Sequence, residues 1–146
     1  FGVGPEFEQA LVRLRRLGFG RGGFAVVLSR HSLEHVPAPF EALLNMHRLL
    51  APDGELILIL PREKHCRTPF APDIHQHLYC WNFRTINNLL NAAGFTVEGN
   101  RYNYDLGFRA LLPVKRLCGW RAYRAAVKLT GALLRNGELV ITARKR

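Results

Sequence analysis

The chain has little that would staple it together or carry it across a bilayer. Its 146 residues include three cysteines, Cys66, Cys80 and Cys118, and no Cys-x-x-Cys pair. An odd, widely spaced set argues against a disulfide framework and against paired-thiolate metal sites, so buried thiols in a reducing compartment are expected. No stretch approaches the roughly 18 consecutive apolar residues that a membrane-crossing helix requires. No amino-terminal segment has the basic, apolar, small-residue layout of a signal peptide, and a cytoplasmic location is expected. Internal repeats and low-complexity tracts are lacking. The first residue is Phe1 rather than Met, so a processed chain or a piece of a longer one is expected. Acidic residues nearly vanish from the last quarter. Residues 113–146 carry nine Lys/Arg against Glu138 alone, whereas residues 1–100 carry ten Lys/Arg and nine Asp/Glu. The net charge of +10 is therefore a property of the tail and says little about the chemistry of the core.

What is present reads as one ordinary globular domain, 48% hydrophobic and 22% charged, long enough to bury a core. Phe7, Leu11, Leu14 and Leu17 recur at helical spacing, which predicts a helix over 6–17 closed by the glycine-rich Gly18–Gly23. Phe24–Ser29 is a short strand, apolar on both faces, as in a sheet covered by helices. Pro39 opens an amphipathic helix carrying Phe40, Leu43, Leu44, His47 and Leu50 near one stripe. Ala51–Gly54 reads as a turn, and Glu55–Leu60 as a second buried strand ended by Pro61. Residues 62–80, rich in His, Pro and charge, predict a long loop, functional or mobile. A helix over Asn82–Ala93 stops at Gly94, and short strands follow at Phe95–Glu98 and Glu138–Ala143. Between those two strands, Pro113–Arg135 reads as helix, in one piece or two. Strands alternating with helices argue for a parallel α/β sheet, whose ligands sit outside the carboxyl ends of the strands. Ser29–Val36 lies just past such an end.

The stretch "FAVVLSRHSLEHVPAPFEALLNMHRLLAPDGELILILP" resembles the second half of a class I S-adenosylmethionine-dependent methyltransferase domain of the small-molecule type. Leu33-Glu34-His35-Val36 matches the family's "LEHV", Ala51-Pro52-Asp53-Gly54 stands for "KPGG", and Ala25 replaces the usual Asp. "HQHLYCWNFRTINNLLNAAGFTVE" resembles a later family segment. The match spans roughly residues 24–98, with 138–143 as the last strand. The resemblance implies a Rossmann-like sheet of seven strands, mostly parallel, whose last two strands pair antiparallel. It implies that S-adenosyl-L-methionine is the cofactor and that Ser29, Arg30, His31 and Ser32 run past it. The loop from Pro61 to Tyr79 would help form the acceptor pocket. Methyl transfer needs alignment and exclusion of water, and often a base, for which His31, His75 and His77 are the candidates.

The family's glycine-rich cofactor turn is not found in its usual setting. Gly18-Phe-Gly-Arg-Gly22 follows a helix and precedes a strand, the reverse of what a nucleotide-cradling turn requires. Phe1–Glu6 looks a little like the family's second strand, with Gly4 where the ribose-binding acid belongs. The expectation is one partial methyltransferase domain over 1–146. It would lack most of the cofactor-binding half and its first strands, and would carry a basic helical insert at about 105–136.

Glu34 is expected to cap the coming helix and His35 to pack on the sheet edge, with catalysis as the alternative for both. His65, Cys66, His75, His77 and Cys80 gather soft ligands in one loop, but without the paired spacing of structural zinc sites, and the resemblance calls for no metal. Tyr102 and Tyr104 read as strand packing, with reach to an acceptor as the alternative. In the tail, Arg121, Arg124, Lys128 and Arg135 recur beside an apolar stripe of Leu117, Trp120, Val127 and Leu134. That stripe is expected to pack on the sheet beneath a solvated basic face; peripheral contact of 113–135 with an anionic membrane is the alternative. No aromatic platform or known module accompanies the charge, so no nucleic-acid partner is expected. The expected acceptor is a small molecule, a sugar or a lipid-linked compound, and the rival reading is a truncated, non-catalytic α/β module.

Overall fold

A computed structural model describes residues 22–62, 76–104 and 108–146. The readings for the helix over 6–17, for Phe1–Glu6, for most of the glycine-rich stretch and for His65, Cys66 and His75 lie outside the described residues.

Four strands form one sheet in the order β1-β2-β4-β3: β1 is Phe24–Arg30, β2 Leu50–Pro61, β3 Phe95–Asn103 and β4 Glu138–Lys145. β1 pairs parallel with β2, and β4 runs antiparallel to both β2 and β3. β1, β2 and β3 therefore point the same way, with β4 reversed between the last two. This is the mostly parallel, Rossmann-like arrangement with an antiparallel last strand that the motifs imply.

One face of the sheet carries the core. Leu56, Leu58 and Leu60 alternate along β2 with Leu139, Ile141 and Ala143 beside them on β4. Helices α1 (Pro39–Leu49) and α2 (Phe83–Ala92) cover that face through Leu43, Ile86 and Leu90. Each fully buried leucine or isoleucine contributes about 1.5–3 kcal/mol. α2 starts where it does because Asn82 and Thr85 form a reciprocal cap: the Asn82 side chain accepts from Thr85 N at 3.0 Å, and Asn82 N donates to Thr85 Oγ1 at 3.3 Å.

Four sequence readings are corrected. First, β1 is not covered on both faces: Val26 and Leu28, one face of the strand, are exposed, while Val27 and Ser29 turn to the core side. Second, Ala51–Gly54 is a bulge inside β2 rather than a separating turn. The register jumps from Phe24↔Leu50 to Val26↔Glu55, and Asp53 takes φ +58°. A Cβ on Gly54 would lie 2.9 Å from Ala51 O and 3.0 Å from Phe24 O, so the bulge closes only around glycine. Third, β3 runs on past Glu98 to Asn103 because β4 offers it partners all along. Fourth, Cys80 and Cys118 are exposed rather than buried, the first in the coil before α2 and the second beside a helix kink.

That kink divides α3 (Leu112–Leu133), where Gly119 takes φ +80° and ψ 180°. The helix follows β3 and precedes β4 in the chain and turns Tyr123, Val127 and Gly131 inward, at four-residue spacing. Leu117, Trp120 and Leu134 are exposed, so of the apolar stripe read from the sequence only Val127 packs. Among the described residues no helix is long and apolar enough to cross a membrane.

Candidate functional site at the strand tips

The carboxyl ends of β1, β2 and β3 converge on one buried carboxylate at the start of β4. Glu138 pairs in register with Pro61 on one side and Asn103 on the other. It is 1% exposed. A Cβ on Gly137 would lie 2.5 Å from Asn103 O, so the approach that places Glu138 between these tips requires glycine before it.

Both oxygens of Glu138 are held. Arg30 donates to Oε1 from Nε at 3.2 Å and from Nη2 at 2.8 Å; the His31 Nε2 contact to the same oxygen is 2.8 Å; Asn103 Nδ2 donates to Oε2 at 2.7 Å. Burial alone would raise the Glu138 pKa, but the hydrogen bonds from Arg30 and Asn103, the charge of Arg30 and the bond to His31 together carry it below its ordinary value. The carboxylate is thus kept ionised.

The local backbone explains how β1 delivers these groups. His31 N donates to Ile59 O at 2.9 Å, the last link of the parallel ladder. His31 then takes φ +48°, a left-handed conformation that costs an L residue roughly 1–2 kcal/mol and that ends the strand. Arg30 and His31 reach over the tip of β2 to Glu138. Ser29, buried on the core side, shares a 2.6 Å hydrogen bond with the Ser32 hydroxyl, which closes the corner.

Of the residues singled out in the sequence, Ser29, Arg30, His31 and Ser32 are together at this corner. His75 lies outside the described residues. His77 sits elsewhere in the contact network, edge-on to His35 with ring centroids 4.9 Å apart. Glu34 is not a helix cap: Ala38 is the residue before α1, with no side-chain cap, while Glu34 lies in a short 3-10 turn, Leu33–His35, and is 0% exposed. Neither Glu34 oxygen accepts a hydrogen bond, and among the described residues its ion-pair contact is His35 Nε2 at 3.9 Å. His35 is 44% exposed rather than packed on the sheet edge. One donor atom each from Glu34, His35 and His77 fall within 4.8 Å of one another.

Tyr102 and Tyr104 stack with ring centroids 5.9 Å apart, and the Arg62 guanidinium sits 4.3 Å over the Tyr102 ring while donating to Tyr104 Oη at 3.2 Å. This aromatic wall stands at the same carboxyl end of β3, where Tyr102 also packs on Phe83 with ring centroids 4.9 Å apart. Sequence reading missed Glu138 and Asn103 as site residues. The available signal was Glu138 itself, the only acid among residues 113–146 and placed at the head of an apolar strand.

Comparison with known proteins gives the same frame. A family profile described as "Methyltransferase domain" matches residues 6–99. No curated protein matches significantly. Among solved structures, the Haemonchus contortus phosphoethanolamine N-methyltransferase 2 in complex with S-adenosyl-L-methionine is 16% identical with a TM-score of 0.58, covering 87% of this chain and 34% of its own. The Burkholderia thailandensis 1,6-didemethyltoxoflavin-N1-methyltransferase with bound 1,6-didemethyltoxoflavin and S-adenosylhomocysteine is 21% identical with a TM-score of 0.55, covering 99% of this chain and 58% of its own. The cyclase SpnF is 18% identical with a TM-score of 0.55, covering 86% and 50%. The chain thus spans from a third to somewhat over half of the length of these neighbours. At these identities the likeness is one of fold, and a cyclase among the neighbours shows that the fold alone does not fix the reaction.

Proposed function

The chain belongs to the methyltransferase-domain family, and from that premise we propose that it serves S-adenosylmethionine-dependent methyl transfer to a small-molecule, sugar or lipid-linked acceptor. The cofactor is carried over from neighbours solved with S-adenosylmethionine or S-adenosylhomocysteine. When bound, it supplies an electrophilic methyl on a sulfonium. The residues assigned to its edge are Ser29, Arg30, His31 and Ser32. The fit rests on their position outside the carboxyl end of a parallel strand, where such sheets take ligands, and on two hydroxyls there able to donate or accept.

The observation that carries the reading is the 2.8 Å contact from His31 Nε2 to Glu138. An ionised carboxylate accepting from Nε2 fixes the tautomer and leaves Nδ1 with a lone pair. His31 then takes a proton from an acceptor hydroxyl or amine as the methyl moves, and Glu138 orients the ring. His77 and His75 are the next candidates for that base. Calorimetric titration with S-adenosylmethionine tests the premise: saturable heat supports it. No heat at millimolar ligand would mean that this chain is not the working unit, and would favour a non-catalytic α/β module. With an acceptor in hand, His31→Asn is expected to lower kcat at saturating cofactor by about 10²–10⁴, over and above any weakening of cofactor binding at this edge. A loss confined to cofactor affinity would make His31 a binding residue instead.

A second reading concerns where the protein works. α3 exposes Leu117 (85%), Leu133 (75%), Trp120 and Leu129 beside Arg121, Arg124 and Lys128, with only Tyr123, Val127 and Gly131 turned inward. An outward apolar surface flanked by cations suits peripheral contact with an anionic bilayer, where each Lys or Arg is worth about 1 kcal/mol. A lipid-linked acceptor would fit that location. Co-sedimentation with phosphatidylglycerol vesicles is expected, and is expected to be lost in Arg121→Glu plus Arg124→Glu. Binding that survives the double substitution would count against it.

A further inference from the structure

Glu34 has no part in the chemistry assigned to the strand tips, yet it is the residue whose burial most needs a cause. An ionised carboxylate removed from water without a partner costs several kcal/mol. Glu34 is fully buried, both of its oxygens lack hydrogen bonds, and among the described residues no Lys or Arg pairs with it. The ionisable groups beside it among the described residues are imidazoles. His35 Nε2 stands 3.9 Å from Oε1, and His77 meets His35 edge-on.

We propose that Glu34, His35 and His77 form a binding site for a divalent cation of the zinc class. Two imidazole nitrogens and one carboxylate oxygen are a recurring three-ligand zinc set, which leaves a further coordination position for water or a substrate oxygen. The same set disfavours magnesium and calcium, which prefer oxygen-rich shells. The backbone holds the three residues in place. Leu78 N donates to Glu34 O at 2.8 Å, which pins the residue after His77 to the 3-10 turn. His35 N donates to Ser32 O at 3.1 Å and closes that turn. The donor atoms span up to 4.8 Å, whereas bonds of about 2.0–2.1 Å in a tetrahedral shell set donors roughly 3.4 Å apart. The site closes by a shift of about 1 Å, which the half-exposed His35 ring supplies by rotating about its side-chain bonds. That exposure also gives the ion a route in from solvent. The bound cation supplies the positive charge that Glu34 otherwise lacks. This inference stands on the Glu34 cluster alone and does not depend on methyl transfer.

Chelator-treated protein titrated with Co²⁺ should develop visible absorbance saturating at one equivalent. Zn²⁺ should displace it and millimolar Mg²⁺ should not. Zn²⁺ should also raise the melting temperature, by linkage to the folded state. Glu34→Gln, His35→Asn and His77→Asn should each weaken Co²⁺ binding at least tenfold, with unchanged far-UV circular dichroism. Should Glu34→Gln fail to fold, the two histidine variants, at partly exposed positions, carry the test. Absence of both the absorbance and the melting shift would overturn the site. So would binding undiminished in His35→Asn and His77→Asn, which would place the ion on other histidines such as His31 or His47.

Discussion

Glu34 and Glu138 are two buried glutamates near the ends of the same strands, and they have opposite fates. Glu138 is met by an arginine, a histidine and an asparagine, and every oxygen has a donor. Glu34 is at least as deeply buried and has none. A carboxylate tied on all sides is a structural and electrostatic fixture: it holds β1, β3 and β4 together at the ligand end and sets the ring of His31. A carboxylate enclosed with two imidazoles and no hydrogen bond is a receptor for charge. Polar burial thus separates into groups that the protein satisfies by itself and groups that ask for something from outside.

Substitutions sharpen the contrast. The largest effect is expected at Glu138→Ala, which strands the Arg30 and Asn103 donors and should cost about 3 kcal/mol in urea unfolding. The same residue predicts an acid limb. Its folded pKa lies below the ordinary 4.5, so its contribution is fully present above about pH 4.5 and is lost as pH falls through the lowered folded value. In Glu138→Ala, the decline of stability below pH 4.5 should be shallower, as followed by thermal melts across pH. Asn103→Ala removes one hydrogen bond to the charged group and should cost about 1.5 kcal/mol. Glu34→Gln loses no hydrogen bond and relieves a buried carboxylate that has no partner, so in chelator-treated protein it should leave stability unchanged or raise it. A cost there equal to that of Glu138→Ala would erase the distinction between the two carboxylates.

The same division governs what was legible in the sequence. β2, β4, α1 and α2 declare themselves by period and punctuation, because their signals are local: alternating or β-branched runs, Pro39 at a helix start, Asn82 before α2, Gly94 after it. The motif Leu33–Val36 located the corner. Less was readable wherever the deciding partner is remote. Glu138 meets Arg30 across a separation of 108 residues, and its one local signal, a lone acid at the head of an apolar strand, does not name its partners. Glu34, between Leu33 and His35 and just ahead of a helix, has the local look of a cap, and only packing against α1 and the segment around Leu78 encloses it. Ala51–Gly54 is turn-like in composition, yet pairing with β1 before and after it absorbs it as a bulge. In α3 the spacing of Leu117, Trp120 and Leu134 showed a stripe but not whether anything covers it.

The central claim is that the tip of β1, from Ser29 to Ser32, is the cofactor edge of a methyltransferase sheet and that Glu138 holds it in shape. Amide chemical-shift mapping with S-adenosylhomocysteine tests this most directly. Saturable shifts are expected at Ser29, Arg30, His31 and Ser32, reaching Glu138, and lost in Glu138→Ala. Shifts confined to α3 or to the outer face of α2, with the β1 tip unmoved, would contradict it.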